Sequence, residues 1–256
     1  MKNKVLCCFL LITVFSISIM ISGCESLNNS NSTKDETLKD IAYDVNEKFG
    51  YTVYIKENSA FVPYLVLTSD YNGQALLLRK ELLAEGRSFN YGNGYLGYYK
   101  DSSIDKFLNS VFLTTLEPEI QKSIVDSEIT ITSTSSLGFV GKDTENIFRK
   151  VFLLSYTEVG RREIGMACVE GKPLKYFKDS NNIIAYHNNE AQSWWLRTSY
   201  TTDTSLAWGI GLEGTIGGGG VGNKNGVRPA FCLKNTHAIE KNDEVLEGQT
   251  VYVIAN

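Results

Sequence analysis

Arg197 and Arg228 carry the most demanding chemistry in the chain. Both lie in apolar, strand-like runs, Trp194-Trp195-Leu196-Arg197 and Val227-Arg228-Pro229-Ala230-Phe231. A guanidinium in such surroundings needs carboxylate or carbonyl acceptors, because an unpaired buried charge is costly. Either each arginine ties strand to loop through its several N–H donors, or it offers a fork to a ligand carboxylate. Tyr91, Tyr95, Tyr98 and Tyr99 crowd a glycine-rich stretch. Tyrosine gives a large, rigid ring with a polar tip, so these four form the leading candidate platform for a sugar or peptide. Their alternative role is to cover a helix starting near Ser103. Trp194, Trp195 and Trp208 lie in strand-like segments. Neighbours on a strand point to opposite faces, so one of Trp194 and Trp195 is expected in the core. Trp195 and Trp208 join the candidate ligand surface, with packing as the alternative.

Catalytic signals are sparse, and no catalytic residue is assigned. His187 lies in Tyr186-His187-Asn188-Asn189-Glu190, where it could pair with Glu190 as acid and base or be an exposed loop histidine without a role. No serine or cysteine sits in a nucleophile-elbow context. Gly209-Ile210-Gly211-Leu212-Glu213-Gly214 satisfies the dinucleotide spacing, but that fingerprint requires a helix directly afterwards. Thr215-Ile216-Gly217-Gly218-Gly219-Gly220 cannot sustain one, so the glycines are read as a mobile surface loop and no cofactor is expected. Cys168, Cys232, His187 and His237 lack metal-ligand spacing, so no metal site is expected. The two cysteines are either small buried hydrophobes or, in an oxidising compartment, a disulfide.

The N-terminus says where the chain resides. Behind Met1-Lys2-Asn3-Lys4, Val5 to Ile21 runs 17 residues without a charge. That is shorter than the ~20 apolar residues of a membrane span and has the layout of a secretory signal. Ile21-Ser22-Gly23-Cys24 resembles the lipobox of bacterial lipoproteins. The resemblance implies a diacylglyceryl group on the Cys24 thiol and cleavage that leaves Cys24 as the mature N-terminus. Two or three acyl chains, at ~0.8 kcal/mol per buried methylene, would anchor the protein stably. The alternatives are an ordinary cleaved signal or an uncleaved anchor. The expected organisation is a signal peptide at 1–23, a polar tether at 24–40 and one domain at 41–256. The expected location is a membrane, lipid-anchored, facing outside the cytoplasm. The formal net charge of −4 becomes −6 once the two signal lysines leave, which disfavours nucleic acid as a partner.

The elements that must position these residues can be read from pattern. Tyr51–Ile55 alternates as a strand. Tyr64–Thr68 and Gln74–Leu78 flank Asp70-Tyr71-Asn72-Gly73, and Asn-Gly tolerates the positive φ of a tight hairpin turn. Ser102 or Ser103 caps a helix presenting Ile104, Phe107, Leu108, Val111 and Phe112 on one face. Pro118 opens a second helix. Glu128–Thr132 and Val151–Leu154 read as strands, and Ser155-Tyr156-Thr157-Glu158 has capping-box spacing. Strand-like segments follow at Ile183–Tyr186, Trp194–Arg197, Leu206–Ile210, Val227–Phe231 and Val251–Ile254, separated by glycine-rich loops. Strands, then two helices, then strands imply an α+β domain with mixed or antiparallel sheets. No internal repeat is present.

Three segments in order, Arg149-Lys150-Val151-Phe152-Leu153-Leu154-Ser155, Trp194-Trp195-Leu196-Arg197-Thr198-Ser199 and Gly226-Val227-Arg228-Pro229-Ala230-Phe231, together with Ser102–Asn109, resemble an uncharacterised bacterial family, domain of unknown function 6273. The likeness covers roughly Tyr51 to Leu233 and brings no established activity with it. More distantly, the motif order is similar to the C-type-lectin-like fold, which includes formylglycine-generating enzymes and adhesin domains. The chain lacks the Glu-Pro-Asn and Trp-Asn-Asp motifs of calcium-dependent sugar-binding lectins and the copper-type cysteine pair of the oxidase. These readings converge on a binding or adhesion module for envelope glycan or protein. The alternatives are a hydrolase of envelope polymers and a structural or assembly lipoprotein without a small ligand.

Overall fold

The computed structural model describes residues 36–47, 51–91, 96–139, 142–161, 165–246 and 249–255. Cys24, the signal segment and Tyr95 lie outside the described residues. The strands are β1 (Thr52–Glu57), β2 (Ala60–Tyr71), β3 (Gln74–Arg79), β4 (Arg87–Ser88), β5 (Ser127–Thr132), β6 (Thr144–Arg149), β7 (Val151–Phe152), β8 (Ala185–His187), β9 (Glu190–Gln192), β10 (Trp194–Ser199), β11 (Leu206–Ile210), β12 (Ile216–Gly220), β13 (Lys224–Asn225), β14 (Ala230–Lys234), β15 (Ile239–Leu246) and β16 (Gln249–Ile254). The helices are short: α1 (Leu38–Ile41), α2 (Ser103–Phe107) and α3 (Pro118–Ser123). The protein is a sheet-rich α+β fold.

A seven-stranded mixed sheet, in order β15-β16-β1-β2-β3-β14-β7, forms the frame. Its one parallel pairing joins β1 to β16, so the two ends of the folded chain lie side by side. The β2–β3 turn forms at Asn72-Gly73, with φ of 53° and 82°. The β1–β2 turn at Asn58-Ser59 also takes positive φ at both residues, without any glycine to announce it. A second sheet, β10-β11-β12, stands apart from the first.

Several expectations need correction. The fold begins before Ile41: Leu38 is buried in α1, and Thr37 both pairs with Ala238 and forms a capping box with Asp40. One leucine in a polar run was enough to dock it. The helix after Ser102 does not stay α-helical. It widens into a π-helix at Leu108–Phe112 and then tightens into a 3₁₀ turn at Leu113–Thr115. Each π residue turns fewer degrees than an α residue, so Ile104, Leu108 and Phe112 remain buried while Val111 rotates outward and is exposed. The gain is Asn109, whose amide donates to the Val151 carbonyl and accepts from its N–H, closing the outer edge of β7. The strand expected through Leu154 stops at Phe152 because side chains bind the backbone beyond it. Leu153 N–H donates to the Tyr99 hydroxyl, and the Leu153 carbonyl accepts from Arg197. The glycines from Gly217 to Gly220 are not a loop but strand β12, paired in register with β11.

Burial keeps several phenols neutral. Tyr64, Tyr71, Tyr98 and Tyr99 are all pushed above the ordinary phenol range, first by burial and then by the carboxylates beside them: Glu57, Glu158, Glu145 and Asp105 respectively. The folded chain therefore holds more protons than the unfolded chain above the ordinary tyrosine pKa of 10.0. Stability from these groups is complete below that pH and is lost as pH rises from there through the raised folded-state values. Titration followed by tyrosinate absorbance should show these four ionising only in a late, cooperative step coincident with loss of the circular-dichroism signal. Smooth ionisation of all tyrosines in a folded chain would contradict this.

Candidate functional site

The expected tyrosine platform is not assembled. Tyr99 is fully buried against Phe89, with ring centroids 6.2 Å apart. Tyr98 donates its hydroxyl to Glu145, and Tyr91 stands exposed. Both Trp194 and Trp195 are fully buried, against the expectation that one would face outward. Alternation still operates, but every residue of β10 is buried, so both faces of that strand are interior. Trp194 donates its indole N–H to the Ile183 carbonyl at 3.0 Å, and Trp195 donates to the Arg87 carbonyl at 2.8 Å. Trp208 is buried between Tyr156 and Tyr200. His187 and Glu190 face each other as register partners in the β8–β9 hairpin. Neither residue lines the cleft described below.

Arg197 meets its acceptors inside the protein. Its Nη1 and Nη2 donate to the two oxygens of Glu158 at 2.6 and 2.8 Å, and Nη1 also donates to the Leu153 carbonyl. Nε donates to the Thr130 carbonyl and lies 3.6 Å from Glu170. All three charged side chains are fully buried. Burial would lower the guanidinium pKa, but Glu158 and its neighbours more than offset this and hold it above the ordinary value. Burial raises the Glu170 pKa, while Arg197, Thr132 and Thr198 oppose the rise by favouring the carboxylate. The fork is real, and the carboxylate it holds belongs to this chain.

Ser155 and Glu158 form the reciprocal bonds of a capping box, Ser155 N–H to Glu158 and Glu158 N–H to the Ser155 hydroxyl. Gly160, at φ of 79°, ends the turn before a helix grows. The same Glu158 carboxylate is thereby aimed at Arg197. Arg228 is different: its Nε and Nη2 donate to the Arg79 and Lys80 carbonyls, each at 3.0 Å. Burial pushes its pKa down to about 10, with Tyr176 beside it opposing the shift.

Tyr71 links the buried cluster to the surface. Its hydroxyl donates to Glu158 at 2.6 Å, and its ring stacks on Phe152. Above it opens a cleft of about 660 Å³. Asp70, Tyr71 and Asn72 form one wall at the β2–β3 turn, while Glu128 and Thr130 of β5 form a second. Asn72 holds the walls together by donating to the Glu128 carbonyl at 2.9 Å. The third wall is the segment Gly171 to Lys175. Asp44 also lines the cleft but spends its carboxylate on Thr68 and Ser69, and Lys175 is paired with Glu47 at 2.5 Å. Sequence reasoning missed this site. Its members are scattered polar residues, and only the Asn-Gly turn announced one wall.

Gly171 separates cleft from cluster. Its φ is 83°, and a Cβ there would lie 2.9 Å from Glu158 Oε1. Gly171→Ala therefore combines left-handed strain with displacement of a buried carboxylate, and should cost ~2 kcal/mol or more. Urea unfolding would measure it, and a loss below ~0.5 kcal/mol would show that the floor can move freely.

Among the described residues, no group of three or more histidine, cysteine, aspartate or glutamate side chains is arranged to hold a metal, and no helix is long and apolar enough to cross a membrane. Cys168 and Cys232 are both buried thiols, with Cys232 pushed up to about 12 by burial.

The family model described as Domain of unknown function (DUF6273) matches residues 72–235, and the chain belongs to that family. No curated protein and no solved structure matches it. The matched span supplies β3, β14 and β7 of the large sheet, while β15, β16, β1 and β2 come from the flanks. Glu158, Glu170 and Arg197 lie inside the span, and the cleft forms where span and flank meet.

Proposed function

We propose that this is a lipid-anchored, extracytoplasmic binding protein whose cleft above Tyr71 takes a hydroxyl-rich envelope glycan. The carrying observation is the cleft itself. An aromatic ring in one wall is accompanied by carboxylate, amide, hydroxyl and ammonium groups from segments distant in sequence. Such a lining supplies donors and acceptors for sugar hydroxyls and a ring on which a sugar face can rest. The signal segment and Ile21-Ser22-Gly23-Cys24 support export and anchoring. The motif order supports carrying a C-type-lectin-like topology as part of the same proposal.

Titration of the full chain in detergent with soluble cell-wall oligosaccharides, read by Tyr or Trp fluorescence, tests the binding. Saturable binding that Tyr71→Ala weakens at least tenfold is expected, whereas Tyr91→Ala leaves it unchanged. Binding lost in Tyr91→Ala and kept in Tyr71→Ala would move the site to the glycine-rich loop. Anchoring is tested separately by mass spectrometry of the N-terminus and by release of Cys24→Ala from membranes.

A second reading has its own observation. Phe139 is 72% exposed and Phe148 is 62% exposed, and large exposed rings favour a protein contact. Pull-down on an immobilised chain, lost in Phe139→Ser or Phe148→Ser, would support a protein ligand.

A further inference from the structure

We propose that the cleft selects glycans bearing free amino groups over their neutral or N-acylated counterparts. This rests on the glycan reading and adds the charge of the ligand. Two independent features carry it. First, the cleft presents three carboxylates, Asp44, Asp70 and Glu128, against two ammonium groups, Lys172 and Lys175. Lys175 is already paired with Glu47, whereas no described cation pairs with Asp70 or Glu128. Both carboxylates are exposed; Asp70 accepts from Gly73 N–H and Glu128 from the Asn146 amide, while Asn72 ties the two walls together through the Glu128 backbone carbonyl. Second, a buried negative excess lies beneath the floor. Glu158 and Glu170 share the cation Arg197, and Gly171 and Tyr71, which both line the cleft, lie against Glu158. Charges at low dielectric project further than charges in water, so cluster and walls together favour a cation in the cleft. An ammonium lodged between Asp70 and Glu128 answers that field, while the sugar ring rests on Tyr71 and its hydroxyls meet Asn72 and Thr130.

The test uses the full chain and three probes: oligomers of glucosamine with free amines, the same oligomers N-acetylated, and oligolysine. Free-amine oligomers should bind at least tenfold more tightly than the acetylated ones, and the preference should shrink as salt rises from low concentration to ~0.5 M. Asp70→Asn and Glu128→Gln should each weaken free-amine binding three- to tenfold. Both amides retain the acceptors used by Gly73 N–H and the Asn146 amide, so folding is preserved, and each variant should narrow the gap between free-amine and acetylated oligomers. Equal binding of the two sugars would overturn amine selection and leave the glycan reading standing. Binding of neither sugar would remove both. Oligolysine binding as tightly as free-amine sugar, with the same response to the two variants, would overturn the glycan class in favour of a basic peptide.

Discussion

Arg197→Met should destabilise the domain by about 3–5 kcal/mol at neutral pH, the range for breaking a buried ion pair. The replacement nearly preserves volume, so packing is not the cause. It strips Glu158 and Glu170 of their shared cation and leaves two carboxylates in the interior, both fully buried. Burial already raises the Glu170 pKa and Arg197 opposes that rise, so removing the arginine raises it further. A raised acid contributes stability below its unfolded pKa and loses it as pH rises through the folded value. The deficit of Arg197→Met should therefore be largest near pH 7 and shrink as pH falls toward 5. Glu158→Gln should cost less, because Arg197 keeps Glu170 at 3.6 Å and the Leu153 and Thr130 carbonyls. Urea unfolding at both pH values measures this. A deficit under ~1 kcal/mol, or one that grows on acidification, would mean that the cluster does not hold the fold. Its structural weight also bears on function, because Tyr71 donates to Glu158 from the cleft side, so Arg197→Met should weaken cleft binding as well.

Trp195→Ala should cost about 3–5 kcal/mol, as for other buried aromatic truncations. The indole packs on Phe89 at 5.6 Å between centroids and donates to the Arg87 carbonyl. Its far edge lies against β12, where a Cβ on Gly219 would be 2.9 Å from Cη2 and Cζ3. That contact explains the glycine at 219: a side chain there would exclude the ring. Gly219→Ala should thus be destabilising alone and markedly less so in the Trp195→Ala background, with a coupling of ~1–2 kcal/mol. Additive effects would show that the glycines answer some other demand. Cleft binding should survive in folded Trp195→Ala, which separates this residue's structural part from the ligand role that its sequence context suggested.

The chain's own chemistry determined a good deal without the structure. Asn72-Gly73 between two apolar runs specified a hairpin turn, because positive φ is inexpensive at those two residues. Ser102 capped its helix, and Pro118 opened the next. An arginine in an apolar strand announced that it would need acceptors. The α+β class and the family membership were legible in the order of the elements and motifs. These are local properties, fixed by the few residues that display them.

Other outcomes depended on partners distant in sequence. Arg197 could not reveal that its carboxylate would come from Glu158 rather than from a ligand, because a guanidinium is satisfied equally by either. Trp194 and Trp195 could not reveal that both faces of β10 would be covered. The run from Gly217 to Gly220 read as a loop because the rings that crowd its two middle positions, Tyr200 at Gly218 and Trp195 at Gly219, arrive only on folding. Apart from the Asn-Gly turn in one wall, the cleft has no sequence signature. It exists because the β2–β3 turn, β5 and the segment after Gly171 are brought together in space, and long-range packing is what assembles polar residues from three segments around one tyrosine ring.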